Sequence, residues 1–250
     1  MSNTKNIEAE SEVSFRNRRV VPELIDNFKI KGKKLEKTLK ELEWVNKYLG
    51  GIKTTILPVY NFIRENKSDH LKIMDIGCGS GDILKKLSDL GLKTNCKMKL
   101  IGIDANQNIL DFAKKTHFNE QPVTLTAADV MLEPEKIDAA DVYMFNQFLH
   151  HFELGKIQSL FNLIARYRPS LIVINDLQRS RLAYYLFTWL CKLKKTSYLT
   201  SHDGRISISK GFNEVEMILM GSMIPGYEYE LKWNWAFRWQ LVLKRINNLD

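Results

Sequence analysis

The stretch Ile73-Met74-Asp75-Ile76-Gly77-Cys78-Gly79-Ser80-Gly81-Asp82 decides how this 250-residue chain is read, because an apolar run carrying one acid empties into three glycines set two apart. Leu71, Ile73, Met74 and Ile76 make the short apolar run of a buried parallel strand, and the glycines allow a tight turn with no Cβ between backbone and ligand. From Asp82 the pattern becomes helical. Ile83, Leu84, Leu87 and Leu90 share one face, Lys85, Lys86 and Asp89 the other, and Gly91 stands where a C-terminal cap is expected. Free N–H groups at such a helix start attract a carboxylate or a phosphate.

The glycine spacing selects among nucleotide-type ligands. A dinucleotide fingerprint, G-x-G-x-x-G or A, requires a small residue at position 82, where this chain has Asp82. The pattern here is G-x-G-x-G with Asp75 two residues upstream, and in this it resembles the first motif of the class I S-adenosylmethionine-dependent methyltransferases. Lys99-Leu100-Ile101-Gly102-Ile103-Asp104 adds a second apolar strand ending in an acid about twenty residues beyond the glycines, where an acid can hold both hydroxyls of a ribose. Ala105 follows it, and Asn106 can cap the next helix, which carries Ile109, Leu110 and Ala113. A third unit, Val123 to Val130, ends in Asp129, which by the resemblance meets an adenine amino group with Val130 along the ring. The fourth strand, Ala140 to Asn146, is followed by Gln147-Phe148-Leu149-His150-His151-Phe152, which looks like the fourth-strand exit of small-molecule methyltransferases. The resemblance spans about residues 70–176. It implies S-adenosylmethionine as cofactor, S-adenosylhomocysteine as product, and Asp75, Gly77, Gly79, Gly81, Asp104, Ala105, Asp129, Val130 and Asn146 as the residues that hold them.

Strands and helices alternate through the fifth strand, Leu171 to Asp176, after the helix of Ile157, Leu160, Phe161 and Ile164, so the expected fold class is α/β with a doubly wound parallel sheet. Near the end, Tyr227, Tyr229, Leu231 and Trp233 alternate with Glu228, Glu230 and Lys232, and Phe237, Trp239, Leu241 and Leu243 repeat the alternation across an Asn234-Trp235 bend. Class I methyltransferases append such a hairpin, which by resemblance gives a seven-stranded, Rossmann-like sheet of order 3-2-1-4-5-7-6. Asn213 and Glu216 form a capping-box pattern that opens a helix before it.

The expected division is a disordered tail over 1–14, an N-terminal helical cap over 15–66, and a methyltransferase domain over 67–250 with an insertion at 177–212. Leu35, Leu39, Leu42, Val45 and Leu49 recur at helical spacing in the cap, Gly50-Gly51 ends that run, and Pro58 starts or kinks the next. Arg16, Arg18, Arg19, Lys31, Lys33 and Lys34 read as a solvated face.

In the insertion, Leu182, Tyr185, Leu186, Trp189, Leu190 and Leu193 fall on one helical face, yet Tyr184 and Phe187 make the other apolar too. A helix apolar on both sides needs two neighbours. One is the core. The other is an apolar substrate under a lid holding Tyr185, Trp189 and His202, a second subunit in a dimer, a membrane surface suited by Trp and Tyr beside Lys192, Lys194 and Lys195, or simply another packed helix. The phrase from Leu199 to Phe212 resembles the bacterial small-molecule, quinone-biosynthesis-like O-methyltransferases.

Composition sets the outer bounds. With 44% hydrophobic residues the chain can bury a proper core, and its formal charge of +8 permits contact with nucleic acid or anionic lipid without requiring either. Cys78, Cys96 and Cys191 show no disulfide or zinc spacing, so no metal is expected and the compartment reads as a reducing cytoplasm.

Methyl transfer to a hydroxyl needs a base to take the proton that leaves. His150 and His151 follow the fourth strand and Asp176 closes the fifth, and strand ends of an open parallel sheet converge at one edge. A carboxylate on a histidine fixes its tautomer, as in the His-Asp arrangement of some sugar and phenol O-methyltransferases that this pair looks like. The reading is therefore methyl transfer to a hydroxyl of an apolar small molecule, phenolic, quinol-like or polyketide-like. An RNA methyltransferase and a non-catalytic S-adenosylmethionine-binding protein stand as alternatives. Against nucleobases, Asn146-Gln147-Phe148-Leu149 lacks the proline-aromatic run of amine-methylating enzymes, and the chain has no Pro-Cys pair to attack a cytosine.

Overall fold

The computed structural model describes residues 15–19, 21–119 and 123–246. The tail expected over 1–14 lies outside them. Two helices, α1 (Lys33–Tyr48) and α2 (Gly51–Asn66), precede an alternation of β1 (His70–Ile76), α3 (Asp82–Thr94), β2 (Lys97–Asp104), α4 (Gln107–His117) and β3 (Val123–Ala127). It continues through β4 (Val142–Asn146), α5 (Leu154–Ala165), β5 (Leu171–Leu177), α6 (Arg181–Lys194), α7 (Tyr198–Lys210) and α8 (Glu214–Gly221), and closes on a hairpin of β6 (Tyr227–Asn234) and β7 (Arg238–Arg245). One sheet holds all seven strands in the order 3-2-1-4-5-7-6. Its first five strands are parallel, and β7 runs antiparallel to both β5 and β6. The expected α/β architecture is the observed one, terminal hairpin included.

Strand periodicity builds two cores. Met74, Ile76, Tyr143, Phe145, Ile172 and Ile174 point to the face covered by Ile157, Leu160, Phe161 and Ile164 of α5 and Met217 and Met220 of α8. The intervening Ile73, Val142, Met144, Leu171 and Val173 point to the opposite face, under Val59, Phe62 and Ile63 of α2 and Ile83, Leu84 and Leu87 of α3. Each fully buried side chain of this kind contributes about 1.5–3 kcal/mol, which is why near-continuous apolar runs in β4 and β5 commit those strands to the centre of the sheet.

Gly50, in the left-handed region at φ 81°, ends the first helical run as expected. Pro58 lies inside α2 rather than at its start. Its missing N–H leaves the Thr54 carbonyl without a helical partner, and Gln240 Nε2 of β7 donates to that oxygen instead. Two local readings change. Helix α3 runs through Gly91 to an Asn95 cap, because Gly91 serves packing: a Cβ there would lie 2.9 Å from the Cys96 carbonyl. The phrase from Leu199 to Phe212 is almost entirely the helix α7, so the insertion is helical on both sides of its middle turn. Helix in the cap begins only at Lys33, and the described residues between Phe15 and Gly32 form an irregular strap with a short helical turn at Leu24–Asp26 and a second turn closed by Ile30 N–H on the Asn27 carbonyl.

Polar tertiary contacts hold that strap. The Arg18 guanidinium donates to the carbonyls of His150, Phe152 and Lys210 at 2.8–3.0 Å and sits 4.3 Å over the Phe212 ring. Asp203 of α7 accepts from the backbone N–H groups of Leu24 and Ile25 at 2.9 and 2.8 Å. Arg18 therefore leaves the solvated face on which the sequence placed it.

Candidate active site

The carboxyl ends of β1, β2, β4 and β5 meet at one edge of the sheet, where an open parallel sheet builds its ligand crevice. The strap and α1 roof this edge and enclose a cavity of about 890 Å³, within the ~300–1,000 Å³ usual for small-molecule sites. Its floor is the glycine turn. Gly77 and Gly79 line the cavity at φ 75° and 51°, and a Cβ on Gly79 would meet nothing within 4 Å, so the backbone there is open to a ligand. A Cβ on Gly77 would fall 2.2 Å from the Phe148 ring. Gly81 is absent from the cavity wall. At φ 77° it caps α3 against Phe118 and Ala113, so its part is packing rather than contact.

Three acids surround the turn. Asp75 at the end of β1 is 1% exposed, neither of its oxygens has a hydrogen-bond partner, and burial, with Asp82 next, raises its pKa to about 8. Burial also raises Asp82, which accepts from Asn46 Nδ2 at 3.3 Å, and Asp104. Asp104 is oriented by two backbone donors, Gly79 N–H to Oδ2 at 3.0 Å and Asn106 N–H to Oδ1 at 2.9 Å, and its remaining lone pairs face the cavity it lines. Further along the wall, Asp129 Oδ1 accepts from Met131 N–H at 2.9 Å, and Ala105, Val130 and Asn146 complete the expected set. The Asn146 carbonyl is held by Thr55 and by Asn175 Nδ2, which leaves its own Nδ2 buried and unpaired. Crowded, raised acids and unpaired buried atoms suit a ligand that brings positive charge and hydroxyls. A diphosphate would be repelled.

Beside this wall stands a second network. His150, 3% exposed, directs Nδ1 at Asp176 Oδ1 at 2.7 Å, while Asp176 also accepts from the backbone of His150 and Leu177. Asp176 lies behind the histidine and does not line the cavity. On the other side, His150 Nε2 is 3.4 Å from Glu23 Oε1 of the strap, an ion-pair distance that makes no hydrogen bond. Burial alone would lower the His150 pKa, but Asp176 and then Glu23 outweigh it and raise the pKa to about 9. Burial opposes ionisation of Glu23 as well, and the two histidines and Lys210 hold it well below the usual carboxylate range.

His151 lies ring to ring with His150 at 4.4 Å, with Asp26 Oδ2 at 3.6 Å. Glu23, His150 and His151 bring ligand-type atoms within 4.8 Å of one another, the spacing of a metal centre. Lys210 Nζ, however, sits 3.0 Å from Glu23 Oε1 and 3.2 Å from His151 Nδ1. An ammonium already occupies the cationic position.

The expected sites thus divide. His150 and Asp176 are brought into contact, and His151 lines the same cavity. Tyr185 and Trp189 are not brought in: they are 67% and 63% exposed on the outer face of α6, and of the 177–212 insertion Ser207 and Lys210 line the cavity. His202 turns to Asp203 and stacks on Tyr198, away from the wall. The lid expectation is corrected accordingly, because α6 spends its inner face, Ala183, Phe187 and Cys191, on packing with Ile208. Cover comes from Ile25, Phe28, Leu39 and Leu42 of the strap and α1. Glu23, Arg18 and Asn46 were missed, since nothing in their local pattern marks residues that meet His150 or, for Asn46, the Gln147 amide, which donates to its Oδ1 across 101 positions of chain.

A family model described as a methyltransferase domain matches residues 73–168. No curated protein matches the sequence. Among solved structures, the plantazolicin methyltransferase BpumL in complex with SAH is similar at a TM-score of 0.62 and 16% identity, covering 85% of this chain and 90% of that one. Human N-acetylserotonin methyltransferase in complex with SAM is similar at 0.55 and 16%, covering 85% of this chain, which spans 56% of that longer one. Magnesium protoporphyrin IX methyltransferase from Synechocystis PCC 6803 with bound SAH gives 0.53 and 12%, with 78% and 84% covered. Glycine turn, strand order and matched segment coincide: residues 73–168 match a methyltransferase domain, and the chain has the fold of these solved methyltransferases.

Proposed function

We propose that this chain binds S-adenosylmethionine and moves its methyl group to a hydroxyl of an apolar, ring-bearing small molecule. The observation that carries the cofactor is the set of three acids around the glycine turn, above all the buried Asp75 with both oxygens unpaired. Asp75 would hold the ammonium of the cofactor's amino acid part, Asp104 its ribose diol and Asp129 its adenine amino group. Bound there, the cofactor supplies an electrophilic methyl on a sulfonium whose positive charge vanishes on transfer. The chain's own residues align the acceptor, exclude water beneath the strap, and take the acceptor's proton.

For the proton, His150 Nε2 is the favoured acceptor. Asp176 fixes the proton on Nδ1 and so keeps Nε2 directed at Glu23 and the cavity. A phenol, with pKa near ~10, is matched to a histidine raised toward that range. Ile25, Phe28, Leu39 and Leu42 on the roof favour an acceptor with apolar surface.

Two measurements test this. Below about pH 8 Asp75 holds its proton; an ammonium beside it favours the anion, so binding releases that proton and affinity rises with pH until it flattens above about 8. Calorimetry in buffers of different ionisation enthalpy should show proton release with S-adenosylmethionine and with S-adenosylhomocysteine. No heat with either, or tight binding of NAD, refutes the cofactor. For the acceptor, turnover on phenols of increasing alkyl length should rise with chain length, and a flat profile or activity confined to polar acceptors refutes that part alone.

A further inference from the structure

Helix α6 leaves one face uncovered. Leu182, Tyr185, Leu186, Trp189 and Leu193 are 58, 67, 43, 63 and 62% exposed, at the i, i+3, i+4, i+7, i+11 spacing of a single stripe. Five large apolar side chains on a 14-residue helix make a contiguous patch rather than the scattered exposure ordinary surfaces carry. The patch extends beyond the helix. Gln178, just before α6, accepts from Trp233 Nε1 at 2.9 Å and donates its N–H to the Phe237 carbonyl at 2.8 Å, so the tip of the β6–β7 hairpin adjoins the helix start. That tip exposes Trp233 and Trp235 at 48 and 62%. Near the other end, Lys194 Nζ lies 4.7 Å over the ring of Trp44 in α1.

Charge identifies the occupant. Between Asp176 and Asp203 the sequence has no acid, while Arg181, Lys192, Lys194 and Lys195 are all exposed at the two ends of the helix. A second copy of the chain docked face to face would bring these cations onto their own counterparts, in a protein that already carries +8. An anionic bilayer complements them. Leu and Trp side chains enter the acyl boundary, Tyr and Trp suit the headgroup level, and the basic ends meet lipid phosphates. Among the described residues no helix is long and apolar enough to cross a membrane, so the contact is one of lying on the surface.

We infer that the outer face of α6, with the adjoining hairpin tip, docks the protein on anionic phospholipid membranes. Flotation with vesicles of phosphatidylcholine alone, and of equal parts phosphatidylcholine and phosphatidylglycerol, tests this on the full chain. The protein should float with the anionic vesicles, more weakly as salt is added, with a blue shift of tryptophan emission. Combining Tyr185→Ser, Trp189→Ser and Leu193→Ser should weaken binding by about 100-fold, and Lys192→Glu with Lys195→Glu by about tenfold or more. All five positions are exposed, so an unchanged Tm verifies that each variant folds. Absence of binding to either vesicle, equal binding to both, or undiminished binding by the serine variant overturns the inference. So does a wild-type dimer that the serine variant converts to monomer without any vesicle binding, which would assign the face to a second copy.

Discussion

Replacing His150 by alanine is expected to lower turnover by about 10²–10⁴ while cofactor affinity stays nearly unchanged. The reason is geometric: His150 is held between Asp176 at 2.7 Å and Glu23 at 3.4 Å, and its contacts run to these carboxylates rather than to the glycine turn. Its raised pKa sets the sign of the pH profile. Nε2 accepts a proton only from the neutral ring, so activity should climb with pH toward about 9. Glu23→Gln removes one of the two anions that raise the pKa and should move that limb to lower pH, a shift that loss of packing alone would not produce. Asp176→Asn should act in the same direction and also lower the rate, because the tautomer is no longer fixed. Steady-state rates across pH for the three variants decide the matter, and full activity in His150→Ala would transfer the role to His151 or to an acceptor that needs no base.

Asp104→Ala is expected to weaken S-adenosylmethionine binding by about 1.5–3 kcal/mol, roughly ten- to hundredfold, the range for losing charge-assisted hydrogen bonds. The substitution also removes the acceptor of the Gly79 and Asn106 N–H groups, so the glycine turn loses its brace. Calorimetry on the wild type and the variant reads the effect directly. An unchanged affinity would mean that the carboxylate braces the turn without touching the ligand.

The core of the fold was legible because its signals are local and periodic. The apolar runs ending in Asp75, Asp104 and Asp176 each mark a strand whose end must lie at the carboxyl edge, and the alternation from Tyr227 to Leu243 marks a hairpin, of which β6 is the exposed strand and β7 the buried one. The His150–Asp176 contact followed from the same rule, since adjacent parallel strands β4 and β5 bring their exits together. What escaped was set by distance along the chain. Arg18 and Glu23 meet groups more than 120 positions away, and no periodicity encodes such a meeting. Tyr185 and Trp189 failed differently. A helix apolar on both sides does announce two neighbours, but periodicity does not say which face meets the protein, and the smaller residues Ala183 and Cys191, which permit close packing against α7, took the inward side.

The strap between Phe15 and Gly32 packs Ile25 and Ile30 against Leu39 and Ile109 and Phe15 against Tyr184, and ionised groups hold it between these points. The His150 imidazolium, raised to about 9 from an unfolded value near ~6.5, gives stability that is complete below that lower value and is lost as pH climbs through the upper one. Glu23, depressed in the folded protein, gives stability that is present above an unfolded value near ~4.3 and is lost on acidification. A latch whose two halves titrate on opposite sides of neutrality has a window of closure rather than a threshold. Opening of the strap is then expected to become more frequent on either side of that window, read as faster hydrogen exchange of the Leu24 and Ile25 amides, while the amides of the seven-stranded sheet keep their protection.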